Sequence, residues 1–223
     1  MLTFFGVARD KDEDSIDVWP TGLAPFIRLA EPGSGNKLVV EDGLFGLIPG
    51  FKKELAAGRK TYNARSETVH ELPSYRESWK KGWRCIIPAE SIYEPNYESG
   101  KPVRWHIQLY GAIPMGIAGI YRQWTSPEGE KHFTFSMLTV NADDHPTFRR
   151  FHAPHDEKRM VVILPPSQYS AWLDGTVADA PQFFKQYQGE FEVWPAALPP
   201  RTKKPKADKL QRTPRGPTTG DLF

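Results

Sequence analysis

This chain offers few carriers of acid–base chemistry near neutral pH: one cysteine and six histidines in 223 residues. Three of the histidines fall close together, His145 first and then two more in Phe151-His152-Ala153-Pro154-His155. An imidazole changes charge close to physiological pH and suits general acid–base work, although any of the three can equally be an ordinary surface histidine. Glu94, closing Ile92-Tyr93-Glu94, joins them if burial raises its pKa; exposed or salt-bridged, it is an unremarkable strand-end carboxylate. Asn63 and Arg65 stand two apart, so an extended segment turns both to one side. A structural polar pair in a turn is the plain reading of the two. Cys85 lies between Trp83 and Ile86 in an apolar stretch, where burial raises a thiol pKa and makes it inert.

Other chemistries find no support. The histidines and the single cysteine show no paired-ligand spacing, and Pro154 interrupts His152 and His155, so no metal is expected. Phosphate-cradling glycine loops and nucleophile elbows are absent, and no cofactor is implied. Hydrophobic residues at 39% and aromatics at 13% describe a folded globular protein. Met1-Leu2-Thr3-Phe4-Phe5 has neither a basic n-region nor a long apolar run, so the expectation is a soluble cytoplasmic protein without a membrane segment. The net charge of +2 is too small to imply nucleic acid by itself, but it is unevenly spread. Residues 199–223 carry seven Lys and Arg against two Asp, with five prolines. We expect residues 1–198 to form the domain and 199–223 a flexible basic tail, either solubilising or attracted to phosphates.

The elements that must position these groups are mostly short strands. Val103, Trp105, Ile107 and Leu109 alternate onto one face of a strand. Residues 115–121, 132–140 and 160–164 read as further strands, and residues 84–87 as one stopped by Pro88. Asp42-Gly43, between two β-rich runs, predicts a type I′ hairpin turn. Ser74 followed by Glu77 predicts a capping box opening a helix through about Lys81. Further helices are predicted from about Ser167, and from Pro181 to Tyr187. Strands too numerous for βαβ alternation imply a single α+β domain: an antiparallel, barrel-like β-sheet core with flanking helices.

Several stretches together resemble the SOS-response-associated peptidase family, also known as abasic-site-processing proteins. They are Phe45-Gly46-Leu47-Ile48-Pro49, Asn63-Ala64-Arg65-Ser66-Glu67-Thr68, Ile87-Pro88-Ala89-Glu90, Tyr93-Glu94, Leu138-Thr139-Val140-Asn141-Ala142, Phe151-His152 and Asp156-Glu157-Lys158-Arg159-Met160. The resemblance implies a protein of the DNA damage response that binds single-stranded DNA containing abasic sites. It captures the opened sugar aldehyde covalently through a cysteine directly after the initiator methionine, whose removal is a self-processing peptidase step. By the same resemblance Glu94 and His152 are the proton carriers. Asn63 orients the N-terminal group and the sugar, Arg65 holds a phosphate, and Thr139 and Phe45 contact DNA, Phe45 as a stacking surface. A monomer is expected.

Position 2, however, is Leu2. The stretch around Phe5-Gly6-Val7 resembles the segment that comes after the first strand of the family, so we expect the strand carrying the cysteine to be missing rather than mutated. A non-covalent single-stranded-DNA-binding module, a true peptidase and a β-rich scaffold without an active site remain the competing readings.

Overall fold

The computed structural model describes residues 1–8, 17–30 and 37–198, and the basic stretch 199–223 lies outside them. Five strands make the core: β1 (Leu23–Leu29), β2 (Leu38–Phe45), and, after the short β3 (Asn63–Arg65), β4 (Arg84–Ala89). Two more come after β5 (Ile92–Asn96) and β6 (Val103–Leu109): the long strands β7 (Met115–Thr125) and β8 (Lys131–Asn141). Pairing runs β7-β4-β1-β2-β8, and a β7–β8 ladder closes the ring into a barrel. Closure removes the open edges that an extended sheet would expose. The pairing is mainly antiparallel, as expected, but β2 and β3 both run parallel to β8.

The length of β8 lets it serve several partners at once. One edge takes β2 at Phe133–Phe135 and then β3 at Met137–Thr139. The other takes β7 and then β9 (Arg159–Val161), which pairs from Thr139 to Asn141. The predicted strand over 160–164 is therefore two short ones, β9 and β10 (Ile163–Leu164), because Val162 makes the switch: its N–H still donates to Leu138 of β8 at 2.9 Å while its carbonyl accepts from Ala118 of β7 at 2.8 Å, and β10 then pairs with β7. A second sheet, β5-β6 with β11 (Phe191–Pro195), lies beside the barrel. Both sheets share one continuous core that includes Phe26, Ile86, Ile107, Phe135, Phe148, Phe151 and Trp172.

Local expectations fail where tertiary packing overrides turn chemistry. Asp42-Gly43 makes no hairpin: β2 runs straight through it, paired to β1, and Gly43 has no left-handed φ. A Cβ on Gly43 would sit 2.8 Å from Phe26 and 3.0 Å from Phe135, so the glycine makes room for core rings. Gly46 does need its special backbone: φ is +120° and a Cβ would meet the Gly58 carbonyl at 2.0 Å. The capping box does not form either. Helix α1 (Arg76–Lys80) begins at Tyr75 with no side-chain cap, and Glu77 turns instead to Lys81 and Arg122. Pro88 does not stop β4, which continues to Ala89 with Pro88 opposite Gly116. The helix near Ser167 is present as α2 (Tyr169–Asp174), whereas the last one shrinks to a 3₁₀ turn at Ala180–Phe183.

Candidate active site

The second sheet delivers the first functional group. Along β5 the side chains alternate, and Glu94 has only 18% of its side chain exposed. Desolvation by burial pushes its carboxyl up to about 8, so near neutral pH the group holds its proton and can donate it.

The partner arrives on the segment between β8 and β9. A 3₁₀ turn at Phe148–Arg150 presses Phe148 and Phe151 into the core, each fully buried. Phe151 forms a β-bridge with Asn96, whose buried amide donates to the Arg150 carbonyl at 3.1 Å. The next N–H, of His152, donates to the Pro95 carbonyl at 2.8 Å. These bonds fasten His152 beside β5 in a left-handed conformation, φ +64°, unusual for a residue with a side chain. Its Nδ1 then stands 3.5 Å from Glu94 Oε2. Its Nε2 is 3.0 Å from the Arg159 carbonyl, which can only accept, so Nε2 carries the hydrogen. In the neutral ring Nδ1 is thus left as an acceptor facing a protonated carboxyl. The separation is long for a direct hydrogen bond, as is common before a substrate draws such groups together.

The other two histidines are placed elsewhere. His145 is 2% exposed, with Nε2 bonded to the Tyr187 carbonyl at 2.9 Å and Nδ1 accepting the N–H groups of Thr147 and Phe148. Both nitrogens are committed to holding backbone. His155 lies exposed in the turn before Asp156.

Asn63 and Arg65 do share a side of an extended segment, because β3 is a strand. The Tyr75 hydroxyl donates to the Asn63 carbonyl at 3.0 Å, while the buried Asn63 Oδ1 has no hydrogen-bond partner. A buried acceptor left open in this way is rare enough to mark a place for a donor. Arg65, 56% exposed, pairs with Glu157. Glu157 also accepts from Arg159 Nη1 at 2.6 Å and from the Asn141 amide at 3.0 Å. The hydrogen bonds from Asn141 and Arg159 pull its carboxyl down to about 2.

Arg159 was not among the expected site residues. Only 8% exposed, its guanidinium grips both oxygens of Glu67 at 2.8 and 3.0 Å, Glu157, and the Thr139 carbonyl at 2.7 Å. Its carbonyl holds His152, so one residue links the acid–base pair to the Arg65 cluster. In the sequence, its only signal is its place in Glu157-Lys158-Arg159-Met160. Thr139 does not offer the expected contact surface: it is 4% exposed and its hydroxyl accepts from Arg159 at 3.2 Å. Phe45 is partly buried, stacked on Phe135 and edge-on to Tyr62 with centroids 5.6 Å away in each case. Cys85 is fully buried, and desolvation drives its thiol well above the ordinary range. At the start of the chain, Leu2–Phe5 form a 3₁₀ turn in which Leu2 is 2% exposed and Phe5 stacks on Tyr169 at 5.6 Å. Among the described residues no group of His, Cys, Asp and Glu can hold a metal ion, and no helix is long and apolar enough to cross a membrane.

Known proteins share this fold and parts of this sequence. The crystal structure of a protein from Bordetella bronchiseptica matches with a TM-score of 0.76 and 38% identity, covering 84% of this chain and 90% of that one. The abasic site processing protein YoqW of Bacillus subtilis is 33% identical over 150 residues, 67% of this chain and 62% of the relative. The abasic site processing protein HMCES of Gallus gallus is 26% identical over 167 residues, 65% of this chain and 48% of that protein. The matched stretch thus spans less than two thirds of these curated relatives. With the family model fitting residues 4–197, the chain belongs to the SOS response associated peptidase (SRAP) family.

Proposed function

We propose that this protein binds single-stranded DNA at abasic sites and handles protons at the opened sugar, in the DNA damage response. The pairing of Glu94 with His152 carries the reading. A carboxyl protonated up to about pH 8 stands beside an imidazole nitrogen fixed as an acceptor, inside the same fold as proteins named for abasic site processing. An abasic sugar exists partly as a ring-opened aldehyde. Glu94 gives a proton to the ring oxygen as the sugar opens, and His152 Nδ1 takes one from the anomeric hydroxyl as it becomes the aldehyde carbonyl. The open acceptor of Asn63 receives an N–H or O–H of the reacting groups, and Arg65 holds a phosphate beside the lesion. The protein acts as a monomer in the cytoplasm, on the nucleoid when bound.

Covalent capture needs more. An α-amine condenses with the aldehyde to an imine and releases water, after which a thiol on the adjacent carbon adds to the C=N bond and closes a thiazolidine. Buried Cys85 cannot supply that thiol, so capture needs a cysteine directly after an initiator methionine. Without such a cysteine the same site supports a second, narrower activity: non-covalent binding of abasic single strands. The peptidase activity in the family name belongs to removal of an initiator methionine ahead of such a cysteine.

The test compares the 223-residue chain with a version extended by a first strand that begins Met-Cys. We expect the shorter chain to bind an abasic single strand without a heat-stable adduct, and the longer one to form that adduct after methionine removal. A heat-stable adduct from the shorter chain, or none from the longer, overturns the reading.

A further inference from the structure

We infer that Glu157 is a built-in stand-in for a phosphodiester: its carboxylate occupies the anion site made by Arg65, Arg159 and the Asn141 amide, and DNA must displace it from Arg65 to bind. This rests on the reading above that Arg65 grips a phosphate. Three donors from three segments converge on this one carboxylate: Arg65 from β3, Asn141 from the end of β8 and Arg159 from β9. A carboxylate and a phosphate present the same kind of oxygens to an arginine fork, so Arg65 can hold either.

The geometry also explains why displacement is cheap and directional. Arg65 is 56% exposed and Glu157 31%, so their pair stands at the surface, where an ion pair contributes little and yields readily to a competing anion. Arg159 has only 10% of its side chain exposed and holds Glu157 from the inner side together with Glu67. A Glu157 released by Arg65 therefore keeps Arg159 and Asn141, and the buried arginine never loses its counter-charges. Arg65 alone is freed. The consequence is discrimination: only a ligand that delivers a phosphate to Arg65 while making its other contacts outcompetes a permanently tethered carboxylate, which suppresses binding of stray anions.

The experiment uses the full chain, Glu157→Gln, Arg65→Ala and the double variant. Two probes are titrated: an intact single-stranded oligonucleotide and inorganic phosphate, the latter read as a shift in thermal midpoint. We expect Glu157→Gln to bind the oligonucleotide about two- to fivefold tighter, the range an exposed ion pair carries. The gain should vanish in the Arg65→Ala background. Phosphate should raise the midpoint of Glu157→Gln more than that of the wild type, and this holds even if the variant is less stable in phosphate-free buffer. Weaker or unchanged binding of both probes by Glu157→Gln overturns the inference and makes Glu157 a scaffold for the arginines. If neither protein binds the oligonucleotide yet phosphate still favours the variant, the anion site stands and the single-strand reading fails.

Discussion

Replacing Glu94 by glutamine should flatten the pH dependence of stability, and the structure sets both sign and size. The carboxyl moves from an ordinary value of 4.5 in the unfolded chain to about 8 in the folded protein. Below the unfolded value both states hold the proton and the full stability is present. Between the two values the unfolded chain releases the proton while the folded one keeps it, so stability falls as pH rises, by roughly 1.4 kcal/mol per unit. Above the folded value both are ionised and the loss is complete, in total about 5 kcal/mol. Such a loss is a large share of the roughly 5–15 kcal/mol typical of a domain. Glutamine keeps the shape and cannot ionise, so its curve lacks this contribution. Urea unfolding monitored by tryptophan fluorescence from about pH 4 to 9, the window spanning both values, gives the difference directly. Wild type should lose several kcal/mol relative to Glu94→Gln across that window. A difference that stays flat means that Glu94 is already ionised in the folded protein, and the proton-donor role falls with it.

Arg65→Ala should weaken single-strand binding whatever the base sequence, and should flatten the plot of log affinity against log salt by about 0.7 for the lost phosphate contact; an unchanged slope in a folded variant makes Arg65 structural. In the Met-Cys version, His152→Ala should slow adduct formation about a hundredfold or more with little change in DNA affinity, while His155→Ala reacts normally. Rapid reaction of His152→Ala together with a defect in His155→Ala would reverse the assignment. Gly43→Ala should cost about 1–3 kcal/mol in urea denaturation, because its methyl group meets the rings of Phe26 and Phe135; a neutral result means that those rings move aside.

The sequence alone was enough for the class of fold and for the short motifs. Period-two alternation at Val103–Leu109 marks a strand wherever it pairs, and two-residue spacing puts Asn63 and Arg65 on one side once the segment is extended. Position 2 is leucine in any fold. A barrel-like core was legible, but not which strands close it, since β7–β8 pairing and the parallel ladders of β2 and β3 on β8 depend on which strands meet in space. Nor was the straight run through Asp42-Gly43, where the rings of Phe26 and Phe135 decide what the dipeptide does. The choice among three histidines shows the division most clearly. All three have the same intrinsic chemistry, and only the bridge of Phe151 to Asn96, with the bond from His152 N–H to Pro95, turns His152 toward Glu94. Likewise Glu94 and Arg159 are ordinary charged residues in the sequence; desolvation raises the one, and three segments converging on the other make it a hub. Charge type is local and written in the chain. Proton affinity and partnership depend on distance and dielectric, which exist only once the chain has folded.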